Sequence, residues 1–384
     1  IKHCKILQTD GKMSKMTAPN TDALYDPFYV PPKLCHREKE LKELLQLIAE
    51  NKTANLLIYG PSGIGKTVLA RFTLETLPQS MATEVTPVFV NFCYKSFREI
   101  MYQINATICG NKQLDLLPVS ASVTEQWNIF RRLRKTIENR VIIILDDVDE
   151  NNQNIHRKFL QESKELGVTT IATAKIGYAR KIRRERKTRS LLDTGIFLDL
   201  YSEKELMDIT FQRVTIAFPS LLRKSIIRFL TDIVLEFDIG RPSTVIEILK
   251  RIHPISVSGA DILPLHIREA SSHIFTVQDE IAIIDSLTQT SLITHLLFQK
   301  IVRLFQKYSY EPYISLNEIR KEYSLLYEEL QDSINPGELL ESAEDLLRTG
   351  LLYQSHFDPE LFYIVVPPRK IIEVLDLIFG EKHG

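Results

Sequence analysis

The octapeptide Gly60-Pro61-Ser62-Gly63-Ile64-Gly65-Lys66-Thr67 constrains the fold of this chain more than any other feature. It follows an apolar run (55–59, NLLIY) and opens a helical pattern with apolar residues at Val68, Leu69, Phe72 and Leu77. The spacing G-x-x-x-x-G-K-[ST] is satisfied in full. Glycines let the backbone curl so that successive N–H groups and the helix N-terminus point at phosphate oxygens. Lys66 supplies positive charge for the terminal phosphates, and Thr67 a hydroxyl for magnesium. Residues 60 to 68 therefore read as a binding loop for ATP or ADP with Mg2+.

A second signal agrees. Val141 to Leu145 is a β-branched run of the kind buried in a parallel sheet, and it ends in Asp146, a carboxylate that can hold magnesium together with Thr67. The next residue, Asp147, stands where a glutamate commonly positions the attacking water. Its carboxylate is retracted by one methylene, about 1.5 Å, and a misplacement near 1 Å can cost about a hundredfold in rate. Slow hydrolysis with intact binding is the expectation.

Strand patterns at 55–59, 87–93, 141–145, 168–173 and 195–200 alternate with helical ones. That order predicts an α/β fold with a parallel, doubly wound sheet and nucleotide at the carboxyl ends of its strands. At 384 residues the chain is long enough for two or three domains. The polar, unperiodic residues 1–20 read as a flexible arm. Four cysteines form no zinc or disulfide spacing, and no apolar run approaches a membrane span. A net charge of -1 gives no general attraction to polyanions, so any nucleic-acid contact must come from local clusters.

With these motifs the chain resembles the AAA+ ATPases, and within them the archaeal replication initiators of the origin-recognition and cell-division-control type. The residues that carry the resemblance are the phosphate loop, the acids after 141–145, FYVPPKLCHREKELKELL (28–45) and LYSEKELMDITFQRV (200–214). It implies an AAA+ domain over 21–200, a helical lid over 201–282 and a C-terminal winged-helix domain over 283–384. It places Tyr29, Val30 and Pro31 around the adenine. The sensor that orients water falls at Ala172-Thr173-Ala174-Lys175, with Ala174 at the family's asparagine position and Thr173 as the polar substitute. The lid arginine expected at the γ-phosphate falls on Ser243, which leaves Arg241, two positions early, as the candidate. A finger reaching a neighbouring subunit's ATP falls in RRERKTRSLL, on Arg186 first and Arg189 second.

The resemblance further implies double-stranded origin DNA as ligand, a related initiator subunit and the replicative helicase as partners, and a nucleoid-associated place in the cytoplasm. An initiator-type insertion falls between Ile108 and Phe130, followed by Arg131, Arg132, Arg134 and Lys135, which also read as the exposed face of a packed helix. From about residue 288, three helical patterns and two strands (351–357 and 361–368) make a winged helix, whose third helix ordinarily enters the major groove. Arg320, Lys321, Ser342, Arg348 and Arg369 join Arg131 and Arg132 as candidate DNA contacts. The third helix is nonetheless acidic, with Glu338, Glu341, Glu344 and Asp345, so a protein-docking winged helix on a signalling or remodelling ATPase is the alternative. The densest basic run is 175–189, which suits DNA or a subunit interface.

Overall fold

A computed structural model describes residues 18–51, 53–80, 85–110, 120–150, 153–275, 280–329 and 338–379. Most of the arm and residues 111–119 of the insertion lie outside this set. Five strands, β1 (Asn55–Gly60), β2 (Val85–Asn91), β3 (Arg140–Asp146), β4 (Thr169–Lys175) and β5 (Thr194–Phe197), pair parallel in the order β2-β3-β4-β1-β5. The doubly wound expectation is met.

The β-branched run of β3 shows why this sheet must be covered on both sides. Successive side chains alternate between faces: Ile142 and Ile144 join one core, while Val141, Ile143 and Leu145 join the other. No residue of β3 after Arg140 is exposed. The register sets Gly60 beside Lys175 and Asn91 beside Asp146. The carboxyl ends of the strands thus gather the phosphate loop, the acids after β3 and the tip of β4. β5 ends at Phe197, short of the run read from sequence to 200, as the chain turns toward the lid.

Four helices follow, Glu203–Ala217, Lys224–Asp238, Pro242–Val257 and Pro264–Ser272. The first is opened by a capping box: Ser202 accepts from the Glu205 N–H, and Glu205 accepts from the Ser202 N–H at 2.9 Å. Their apolar faces continue the core on one side of the sheet, so the lid is packed onto the nucleotide-binding layer.

A separate core holds helices Glu280–Thr288, Leu292–Lys307, Leu316–Glu329, Glu338–Arg348 and Pro368–Phe379 with a small antiparallel sheet. That sheet has the order β6 (Ile314–Ser315), β8 (Leu361–Tyr363), β7 (Tyr353–Gln354). The second strand read from sequence to residue 368 stops at Tyr363. Beyond it Ile364 and Val366 pack into the winged-helix core while Val365 packs into the lid core. The carbonyl of Ile364 accepts a hydrogen bond from Arg268 of the lid at 2.9 Å instead of from another strand.

Candidate nucleotide site

The phosphate loop joins β1 to helix Lys66–Ser80. Gly63 and Gly65 have φ of 73° and 96°, a region that favours glycine. A Cβ at Gly63 would lie 2.0 Å from the Ser243 hydroxyl, so glycine also makes room for the lid. The Lys66 ammonium donates to the carbonyls of Pro61 at 2.7 Å and Gly60 at 3.3 Å. Burial pushes its pKa down, while Asp147, Asp149 and Asp146 pull it up.

Asp146 is the hub. It is 1% exposed, and its Oδ1 accepts from Thr67 at 2.8 Å and from Thr173 at 2.7 Å, while Oδ2 accepts from Asn91 at 3.1 Å. Asn91 carries no signal in the sequence, because only the β2–β3 register brings it to Asp146.

Thr173 departs from its expected role as a water-orienting residue. It is fully buried, its hydroxyl proton goes to Asp146, and its oxygen accepts the Asp147 N–H at 2.9 Å. Thr173 is a brace for both acids, with no free face toward substrate. Asp147 itself has φ of 53° and lines the cavity. Burial, then the charges of Asp146 and Asp149, hold its carboxyl above the usual range.

The cavity between sheet and lid has a volume of about 450 Å³. Residues 62 to 68 form its floor, and Pro27, Pro31, Leu34 and Ile209 contribute apolar wall, with Ile246 and Arg213 from the lid. Of the proposed adenine residues, Pro31 lines it. Tyr29 supports it indirectly, with the Arg213 guanidinium 5.0 Å over its ring, and Val30 is half-buried off the wall. Gly60 and Pro61 act through their carbonyls behind the loop.

Arg241 also departs from expectation. It stands at the N-terminus of helix Pro242–Val257 with its guanidinium paired to Asp238, and it is not on the cavity wall. Ser243 is on that wall, and its N–H donates to the Gly63 carbonyl at 3.3 Å. The stem of Arg241 lies beside the loop, with Cδ 3.6 Å from where a Cβ on Gly63 would stand, but its guanidinium is turned to Asp238, and a neutral serine meets the loop.

The candidate DNA residues fall into three groups. Arg131, Arg348 and Arg369 are ion-paired, to Glu162 at 2.6 Å, Asp345 at 2.9 Å and Glu373 at 3.0 Å. Arg132, Arg320 and Lys321 are exposed and carry no ion pair among the described residues. Ser342 is a correction: at 3% exposure it faces the core of the winged-helix module and cannot reach a groove. Glu341 and Glu344 are the exposed residues beside it. In the basic run, Arg180, Lys181, Arg184, Arg186, Lys187 and Arg189 are exposed on helices Ile176–Arg184 and Arg186–Arg189, and Arg183 lays its guanidinium over the Tyr59 ring at 4.7 Å.

Residues 34–164 match a family described as an ATPase domain predominantly from Archaea. ORC1-type DNA replication protein 1 of Sulfurisphaera tokodaii is 27% identical over 207 residues, half of each chain. The protein of that name from Aeropyrum pernix is 28% identical over 219 residues, covering 52% of this chain and 54% of that one. The structure of Cdc6p from Pyrobaculum aerophilum superposes with a TM-score of 0.76 at 22% identity, over 95% of this chain and 99% of that one.

The chain is similar in sequence to archaeal ORC1-type DNA replication proteins and has the fold of Cdc6p.

The fold shared with Cdc6p extends over the sheet, the lid and the C-terminal module. The Aeropyrum pernix ORC1 protein in complex with DNA shares it with a TM-score of 0.57 at 20% identity, over 93% of this chain and 96% of that one. Matches to the curated relatives span about half of their length. Among the described residues, no helix is long and apolar enough to cross a membrane.

Proposed function

We propose that this chain is an ATP-loaded DNA replication initiator that binds origin duplex, with slow hydrolysis serving as a switch. The observation that carries the reading is the joining of an intact phosphate loop, its Thr67–Asp146 pair at 2.8 Å and a lid that closes on Gly63, in one chain with a winged helix. Thr67 and Asp146 suit magnesium: one hydroxyl and one carboxylate, with phosphate oxygens and waters completing the shell, is how that ion is commonly held. When bound, the ion supplies charge neutralisation at the phosphates. Among the described residues no cluster of three or more acids, histidines or cysteines makes a dedicated metal cage, which fits an ion that arrives with nucleotide.

Slow turnover follows from the short Asp147 side chain, the commitment of Thr173 to bracing, and a neutral Ser243 at the lid. Arg186, exposed on its own short helix, is the finger offered to the ATP of a related initiator subunit. The replicative helicase is the downstream partner, and the nucleoid the place of action.

DNA binding rests on cations around the winged helix more than on its third helix, whose exposed residues include Glu341 and Glu344. That acidity favours the second reading, a winged helix that docks protein. Nuclease protection on replication-origin duplexes separates the two. A discrete footprint is expected, with log affinity falling linearly against log salt. The Arg320→Ala, Lys321→Ala double variant should reduce that slope by about 0.9 for each phosphate it ceases to neutralise. A flat salt slope without any protected sequence favours the protein-docking reading.

A further inference from the structure

Lys175 stands at the carboxyl end of β4, beside Gly60 in the sheet register, and its side chain lines the cavity. Its ammonium contacts Glu150 directly and lies 3.6 Å from Asp149, while its backbone N–H donates to Asp149 at 3.1 Å. Glu150 lines the same cavity, at the end of the turn that follows β3. The ion pair therefore sits on the wall beside the phosphate loop.

Its neighbours at the tip of β4 and in the lid bring no free cation to this wall among the described residues. Thr173 is buried and fully engaged, and Ala174 is buried with no polar side-chain group. From the lid, Arg241 is held by Asp238, and Ser243 is neutral. The other cations lining the cavity, among the described residues, are Lys66 and Arg213. Lys66 belongs to the loop, and Arg213 lies over Tyr29 and donates to the Ala23 carbonyl at 3.0 Å.

We propose that Lys175 is the residue that distinguishes a triphosphate from a diphosphate, exchanging Glu150 for the terminal phosphate when ATP occupies the cavity. The inference rests on the reading of this cavity as a nucleotide site. The physical case is a contrast of strengths. The Lys175 side chain is 50% exposed and that of Glu150 35% exposed, so their pair is of the weak, water-screened kind and costs little to break. A terminal phosphate offers several charged oxygens, and charge-assisted hydrogen bonds to them are stronger than a screened surface pair. ADP lacks that group and leaves the pair made. Release of Glu150 removes one contact from the turn after β3, which carries Asp147 and Asp149, and so ties phosphate count to that turn.

Titration calorimetry on the full chain tests this, with magnesium ADP and a magnesium-bound non-hydrolysable ATP analogue as probes. Lys175→Ala is expected to lower the ratio of analogue affinity to ADP affinity by about tenfold, the value of one lost hydrogen bond to a charged group. Lys175→Arg should restore most of the ratio. Glu150→Gln, which weakens the competing pair, should raise it, and this second variant guards against a folding defect in the first. A wild-type ratio in both Lys175→Ala and Glu150→Gln overturns the proposal. Failure of the wild-type chain to bind either nucleotide overturns the underlying reading of the cavity instead.

Discussion

Thr173 donates its hydroxyl to Asp146 at 2.7 Å in a place that water does not reach, the two residues being 0% and 1% exposed. The same oxygen accepts the Asp147 amide, so one threonine fixes both the Asp146 carboxylate and the backbone of Asp147. A buried acceptor or amide left without its partner costs about 1–3 kcal/mol. Thr173→Val, nearly identical in shape, is expected to lower stability by that amount in denaturant unfolding and to weaken magnesium-dependent nucleotide binding. Thr173→Ser should keep both.

Asp147 holds a left-handed backbone, φ 53°, that side chains other than glycine adopt at a cost of about 1 kcal/mol. Aspartate tolerates this region better than longer residues. That gives a physical reason for the missing methylene: the turn that the Thr173 brace imposes favours the shorter acid. Asp147→Gly should therefore stabilise the nucleotide-free chain, by about 1 kcal/mol, while abolishing residual hydrolysis. A destabilised variant in thermal or denaturant unfolding contradicts the strain argument.

His156 is wholly buried, with Nδ1 3.1 Å from the Tyr178 hydroxyl, and burial pushes its pKa down to about 3. A folded-state value below the unfolded one means that the unfolded chain binds the extra proton. Its contribution is intact above about pH 6.5 and is lost as pH falls toward 3, with a slope of up to about 1.4 kcal/mol per pH unit. Unfolding free energies measured between pH 7 and 4 should show this proton, and His156→Phe should flatten the slope by one proton.

Arg268 is 2% exposed, and its pKa is pushed down to about 9 by burial. It bonds the Ile364 carbonyl and lies over the rings of Phe229, at 5.1 Å, and Phe305, at 5.5 Å. Nearby, Asp232 accepts from the Tyr313 and Ser355 hydroxyls, each at 2.7 Å, and from the His356 N–H at 2.8 Å. Lid and winged helix are thereby bolted together. Arg268→Ala removes a buried, hydrogen-bonded side chain and should cost about 3 kcal/mol. Denaturant unfolding of the variant beside the parent chain checks that loss.

The parts legible in the sequence are those governed by neighbours along the chain. The phosphate loop and the β3 run ending in Asp146 each carry their cause within about ten residues. Asn91, Arg213, Ile246 and Arg268 escape such a reading because their roles come from register and packing across the fold. Arg241 and Ser342 mislead for the opposite reason. Residue type suggests a role, but Asp238 captures the first and the helix face buries the second. Thr173 is marked by its position in the chain, and only the geometry shows that it braces acids.

Above all, the cavity should hold ATP and turn it over slowly while the chain occupies duplex DNA. The most direct measurement is the release of phosphate from ATP under single-turnover conditions, with magnesium and saturating duplex. Stoichiometric nucleotide binding with a rate at or below about 0.1 s⁻¹, a hundredfold under the common enzyme value of about 10 s⁻¹, is the predicted result. Turnover near 10 s⁻¹, or no bound nucleotide at all, contradicts it.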